Sequence, residues 1–137
     1  MPAYLNRIHT DSYNFIKSDT WYNHGSTGGS NIYLRTPLYK GHGNMFHITI
    51  RTYEYGGSYN GVYNFGGYCY AASSSLISTR MQTLSNSGRS ISMGTNSGGY
   101  VYCQISGSAV YYGHFTFEYI GWAAKDVDDF SWHNSAG

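Results

Sequence analysis

Apolar and polar residues take turns from Asn44 to Tyr53: Phe46, Ile48 and Ile50 fall on one face, and His47, Thr49, Arg51 and Tyr53 on the other. A repeat of two is that of an extended strand with one face in a core and the other in solvent. The same repeat sets Ile32 and Leu34 against Tyr33 and Arg35, and Val101, Cys103 and Ile105 against Tyr102 and Gln104. From His114 to Trp122 both faces carry bulk, with Phe115, Phe117 and Tyr119 opposite Thr116, Glu118 and Ile120. That predicts a strand placed centrally or at a subunit contact. Weaker strand patterns run from Val62 to Ala71, Leu76 to Leu84 and Arg89 to Gly94.

Turn-forming clusters separate these runs: Lys40-Gly41-His42-Gly43-Asn44, Gly56-Gly57-Ser58, Gly66-Gly67, Ser85-Asn86-Ser87-Gly88, Thr95-Asn96-Ser97-Gly98-Gly99 and Ser106-Gly107-Ser108. Gly, Asn and Ser accept the backbone angles that tight turns demand. No segment sustains an apolar helical period over three or four turns. The expectation is an all-β protein, an antiparallel, jelly-roll-like β-sandwich of about eight short strands.

The two ends read differently from the middle. Residues 1–30 mix polar and aromatic types and run into Gly25-Ser26-Thr27-Gly28-Gly29-Ser30, which suggests an N-terminal arm and flexible loop. Residues 31–122 form the sandwich head. Residues 123–137 are an acidic and aromatic tail in which Asp126, Asp128 and Asp129 sit beside Phe130 and Trp132. A solvated tail gains little from such anchors, so this one is expected to pack on its own sandwich or on a neighbouring chain.

A length of 137 residues fits one domain, and an apolar fraction of 41% supplies enough surface to offset chain entropy. The eight Lys and Arg are dispersed and the net charge is only +1, which argues against nucleic acid as a partner because duplex affinity rests on several phosphate contacts at once. No run approaches the ~20 apolar residues of a membrane span, and Met1-Pro2-Ala3-Tyr4-Leu5-Asn6-Arg7 lacks the apolar core of a signal peptide. The expected product is soluble, made without a secretory leader and not inserted in a membrane. Cys69 and Cys103 then mature under reducing conditions, which favours two buried free thiols over a bridge.

Chemistry-bearing constellations are scarce. The six histidines, His9, His24, His42, His47, His114 and His133, show neither HxxxH nor HExxH spacing; His42 and His47 are the nearest pair, and no metal or cofactor is expected. Glycoside hydrolysis needs two carboxylates about 5–9.5 Å apart, and Glu54, Glu118, Asp11 and Asp19 are the acids outside the tail, with no spacing that singles out a pair. There is no GxSxG elbow and no phosphate loop. The chain is read as non-enzymatic.

Sixteen tyrosines and eighteen glycines change the picture from absence to presence. Tyrosine offers wide, rigid, amphipathic area, while Gly, Ser and Asn add adaptable hydrogen bonding, a mixture suited to recognition. Trp21, Tyr22, Tyr55, Tyr59, Tyr63, Tyr111, Tyr112 and Trp122 fall in or near loops and strand ends, and are the candidate ligand-binding or interface aromatics. A sugar ring, with C–H groups on one side and hydroxyls at its edge, is the ligand such rings suit. Two other uses compete: pairing of outward tyrosines across strands, and burial at a subunit interface.

The runs Met45 to Gly56, Gly67-Tyr68-Cys69-Tyr70, Gly99 to Ile105 and Tyr111 to Trp122 together resemble the β-sandwich head domains of tailed-bacteriophage tail-fibre and receptor-binding proteins, of the marine and cyanobacterial phage type. The resemblance covers about two-thirds of the chain, in strand and turn patterns and not in catalytic signatures. It implies a structural protein of the virion, assembled in the host cytoplasm as a homotrimer. Implied partners are other virion proteins (adaptor, shaft or capsid) and a host-surface glycan. The chain departs from long fibres in having no coiled-coil or β-helical shaft, which makes a capsid decoration or head-fibre role one alternative and a free-standing glycan-binding lectin another.

Overall fold

A computed structural model describes residues 14–22, 31–55, 60–85, 88–110, 112–123 and 125–137. Among the described residues nine strands run in chain order: β1 (Asn14–Tyr22), β2 (Asn31–Tyr39), β3 (Asn44–Tyr53), β4 (Gly61–Tyr70), β5 (Ser75–Ser85), β6 (Ser90–Thr95), β7 (Tyr100–Ser106), β8 (His114–Gly121) and β9 (Ser131–His133). A 3₁₀ turn, Val127–Asp129, precedes β9.

Five strands form one sheet in the order β1-β8-β3-β4-β5, and four form the other in the order β6-β7-β2-β9. Every pairing is antiparallel. The all-β antiparallel sandwich expected from the period-two runs is therefore the fold. Its strand order refines the jelly-roll-like expectation: β9-β2-β7-β6 facing β1-β8-β3-β4-β5 follows the A-B-E-D and G-F-C-C′-C″ order of a variable-type immunoglobulin sandwich, with the two chain ends in each other's edge positions.

The inward residues are those the alternation selects. Ile32, Leu34 and Leu38 of β2 with Val101, Cys103 and Ile105 of β7 face Phe46, Ile48 and Ile50 of β3, Tyr63, Phe65 and Cys69 of β4, and Phe115, Phe117 and Tyr119 of β8. Each large apolar side chain so enclosed contributes about 1.5–3 kcal/mol. The two thiols are free and buried, as favoured from the sequence. β8 lies between β1 and β3, the central place expected of it, with Phe115, Phe117 and Tyr119 buried and Ile120 exposed on the outer face.

One end of the chain differs from the expected arm, and the other takes one of the two places expected of the tail. Asn14–Tyr22, read as part of an arm, is strand β1, which pairs with β8 through Asn14↔Ile120 to Tyr22↔His114. Its mixed composition hid it, because Lys17, Ser18, Asp19 and Thr20 break the alternation where the register itself shifts. The tail packs on its own sandwich: Ser131, Trp132 and His133 pair with Arg35, Leu34 and Tyr33 of β2. Phe130 is buried, with its ring 4.8 Å from Phe117 and 5.4 Å from Tyr119. Arg35 Nε donates to the Ser135 carbonyl (3.1 Å), Arg35 Nη2 to Ser135 Oγ (2.9 Å), and Asn96 Nδ2 to the Ala136 carbonyl (3.1 Å).

Candidate functional site

The outer face of the five-stranded sheet carries two depressions that meet at His47. One, of about 640 Å³, is lined by Met45, Phe46, His47, Ile120, Gly121 and Trp122. The other, of about 370 Å³, is lined by His47, Asn64, Gly66, Arg80, Met81 and Gln82. Strand register explains the groove they form. His47 stands between Ile120 of β8 and Gly66 of β4, and Gly66 stands opposite Arg80 of β5, so one row reads Ile120, His47, Gly66, Arg80. The next row reads Glu118, Thr49, Asn64, Gln82. On the other side Met45 opposes Tyr68, which opposes Ile77, and the Trp122 amide donates to the Met45 carbonyl (3.0 Å).

The floor of the groove is Gly66. A β-carbon there would meet only the Phe46 carbonyl at 3.6 Å, the Arg80 carbonyl at 3.9 Å and His47 Cδ2 at 3.9 Å, which is ordinary contact. Neither packing nor backbone angle demands a glycine at this position. Its neighbour Gly67 differs, since a β-carbon would come within 2.9 Å of Leu76 Cδ1 and 3.1 Å of Phe46 Cζ. Arg80 reaches the row through a β-bulge: two β5 residues, Ser78 and Thr79, oppose Gly67 alone, and Ser78 takes a φ of 54°. Bulges commonly re-aim a side chain in this way. Without the extra residue Thr79 would face Gly66.

The apolar end of the groove is an aromatic ladder. Trp122 is 57% exposed, its ring centroid lies 5.8 Å from that of Tyr68, and Tyr68 lies 5.3 Å from Tyr70. Trp122 is positioned from beneath: Asn44 Nδ2 donates to the Tyr119 hydroxyl (2.9 Å), that hydroxyl donates to the Ala123 carbonyl (2.7 Å), and the Ala123 amide donates to Asn44 Oδ1 (3.0 Å). Burial pushes the Tyr119 hydroxyl up to about 12, partly offset by the Asn44 bond, so it stays protonated and able to donate.

The polar end is rich in donors. Thr49 Oγ1 donates to Asn64 Oδ1 (2.8 Å), a bond that uses the carbonyl end of the Asn64 amide and not its NH₂, and Asn64 lines the second depression. Arg80 Nη1 donates to the Thr79 carbonyl (3.0 Å), and Arg80 makes no ion pair among the described residues. The nearest outward acid in the next row, Glu118, is held by Arg51 Nη1 at 2.7 Å.

The predicted aromatics scatter. Trp122 is in the groove. Tyr55 and Tyr112 meet with ring centroids 5.6 Å apart, both exposed, and Tyr112 has a φ of 50°. That pair sits at the far end of β3 and β8, about 27 Å of extended strand from Met45. Tyr63 is not a surface residue, a correction to its candidacy: it faces inward from β4 and is fully buried in the core. The backbones of Trp21 and Tyr22 lie in β1 opposite Phe115 and His114, and their side chains lie outside the description. Tyr59 and Tyr111 lie outside the described residues. On the four-stranded sheet, tyrosines pair with one another instead, Tyr33 with Tyr102 (5.6 Å) and Tyr39 with Tyr100 (5.4 Å).

Glu54, a candidate acid, is fully buried and gripped by Arg89, whose Nε donates to Oε2 (2.7 Å) and Nη2 to Oε1, while Nη1 donates to the Ser108 carbonyl (2.7 Å). This ties together the chain after β3, before β6 and after β7, a structural role. Among the described residues no three of His, Cys, Asp and Glu gather as a metal site, and no helix is long and apolar enough to cross a membrane. Comparison with protein families and with curated proteins finds no match for the chain.

Met45, His47, Gly66, Tyr68 and Arg80 did not figure among the predicted site residues. The signal for His47 was present in its outward position on β3. Gly66 and Arg80 become meaningful only once the register of β3, β4 and β5 is known.

Proposed function

We propose that this chain is a non-enzymatic recognition head of the tail-fibre or spike type on a phage virion, built as a homotrimer and contacting a host-surface glycan or a neighbouring virion protein. The observation that carries the reading is the groove on the outer sheet face, where Trp122, Met45 and Ile120 offer apolar area beside the donors of His47, Asn64 and Arg80. An aromatic platform next to amide and guanidinium donors is how a protein holds a polar ring with apolar faces. The strand motifs of the resemblance supply the virion setting, and three copies about one axis would multiply weak single-site affinities. The buried Arg89–Glu54 pair favours a binding role over hydrolysis, because the acid is committed to the fold.

The test is localisation on purified particles with a gold-labelled antibody raised against the chain, together with its mass in solution by light scattering. Label at a fibre tip or baseplate and a trimeric mass are the expected results. Label spread over the capsid would replace this reading with a decoration or head-fibre role. A monomer absent from any particle, yet binding a glycan array in a manner abolished by Trp122→Ala, would replace it with a free-standing lectin.

A further inference from the structure

We infer that the groove takes an acidic oligosaccharide, with a sugar carboxylate on Arg80 and a sugar face against Trp122. The inference rests on the recognition reading above and names its ligand class. Charge is the first argument. Arg80 projects at the polar end without an acidic partner among the described residues, whereas the outward guanidinium of Arg51, one row beyond Thr49 on β3, is already paired with Glu118. A planar guanidinium left open beside an amide NH₂ matches the two oxygens of a carboxylate.

Shape is the second argument. Gly66 is the one position in the row Ile120, His47, Gly66, Arg80 without a side chain, and neither its neighbours nor its φ requires this. The vacancy separates His47 from Arg80 by two strand spacings, about 9.6 Å, and leaves backbone as the floor. The bulge at Ser78, with its unfavourable positive φ, is what brings Arg80 rather than Thr79 to the rim. Open floor, aimed cation and aromatic wall thus converge on one place.

Single-stranded nucleic acid is also anionic with stackable rings, but it is disfavoured. It needs a track of cations along a backbone, and this groove offers one guanidinium on a chain of net charge +1.

Oligogalacturonate and oligosialate, each beside its carboxyl-reduced counterpart, are titrated calorimetrically into the full chain. Expected is binding of at least one acidic oligomer at least tenfold tighter than its reduced form. Arg80→Gln should lose that preference, and Gly66→Val, which fills the floor, should lose binding with its melting temperature unchanged. Equal affinity for acidic and reduced forms, abolished by Trp122→Ala, would overturn the acidic assignment and leave carbohydrate recognition standing. Binding that survives both Arg80→Gln and Gly66→Val would move the site elsewhere and overturn the inference. Oligothymidylate binding as tight as the acidic oligomers at equal salt would overturn it in favour of nucleic acid. Absence of binding to every oligosaccharide would overturn both this inference and the glycan part of the proposed function.

Discussion

The hydroxyl of Tyr119 occupies the space a β-carbon on Gly121 would need. The two residues are two apart on β8 and point to the same inner side, so the tyrosine lies back along its own strand over the glycine. That arrangement lets the hydroxyl reach Asn44 and the Ala123 carbonyl, and it sets the turn on which Trp122 is carried.

Gly121→Ala is therefore expected to destabilise by about 1–3 kcal/mol, the usual cost of forcing extra volume into a packed site. Gly66→Ala is the matched control: its β-carbon has room, and a strand glycine replaced by alanine loses less backbone entropy on folding. Thermal denaturation of the two variants should show a clear drop for the first and none for the second. Equal melting temperatures would mean that Tyr119 can move aside at little cost.

Arg89 and Glu54 form the one fully buried ion pair among the described residues. Removing one partner leaves an uncompensated charge, so Glu54→Gln or Arg89→Met should cost about 3–5 kcal/mol. The double variant Glu54→Leu/Arg89→Met should recover much of that loss, because the desolvation penalty disappears with the charges. Urea midpoints of the three variants check the order; a double variant as unstable as the sum of the singles would show that the Ser108 contact matters more than the charge pair.

The tail seals the core. Trp132 stands edge-on to Phe115 and Phe117, with centroids 6.1 Å away in each case, and Phe130 covers Phe117 and Tyr119. Phe130→Ala should cost about 3–5 kcal/mol. Trp132→Phe should cost less than Trp132→Ala, since it keeps a ring and removes the buried indole N–H that has no hydrogen-bond partner. Chemical denaturation ranks these variants, and a tail that tolerates Phe130→Ala would contradict its place in the core.

Stability should fall at both ends of the pH range. With Tyr119 held up to about 12 against about 10 in the unfolded chain, its contribution is whole below about pH 10 and declines as pH rises toward 12. Burial, and then Arg35, lower His133 below its ordinary value, so its contribution is whole above about pH 6.5 and is lost as pH falls. Denaturation curves across pH should show the alkaline decline weakened in Tyr119→Phe and the acid decline weakened in His133→Gln. Unchanged slopes would assign those limbs to other groups.

Much of the fold was legible because inward and outward residues alternate cleanly on β2, β3, β7 and β8. β4, β5 and β6 showed more weakly: glycines interrupt β4, and β5 is an edge strand largely exposed along its length. β1 and β9 escaped notice for different reasons, the first because its polar centre coincides with a register shift, the second because three residues are too few for a period to show. Of the aromatic candidates, Trp122 was readable as an exposed strand end. Tyr63 was misplaced because tyrosine is at home on either side of a sheet, and only the β4 register turns it inward. The groove itself is a cross-strand object, made of two or three residues from each of four strands together with Trp122, and no stretch of chain contains it.

The strap formed by Arg35, Asn96 and the last residues has a consequence for how the molecule is presented. Arg35 faces outward on β2, so the chain leaves Gly137 on the outer side of the four-stranded sheet, with the whole thickness of the sandwich between that exit and the groove. Anything joined there, a neighbouring domain or a surface-coupling tag, would hold the protein by its back and aim Trp122 and Arg80 into the surrounding solution.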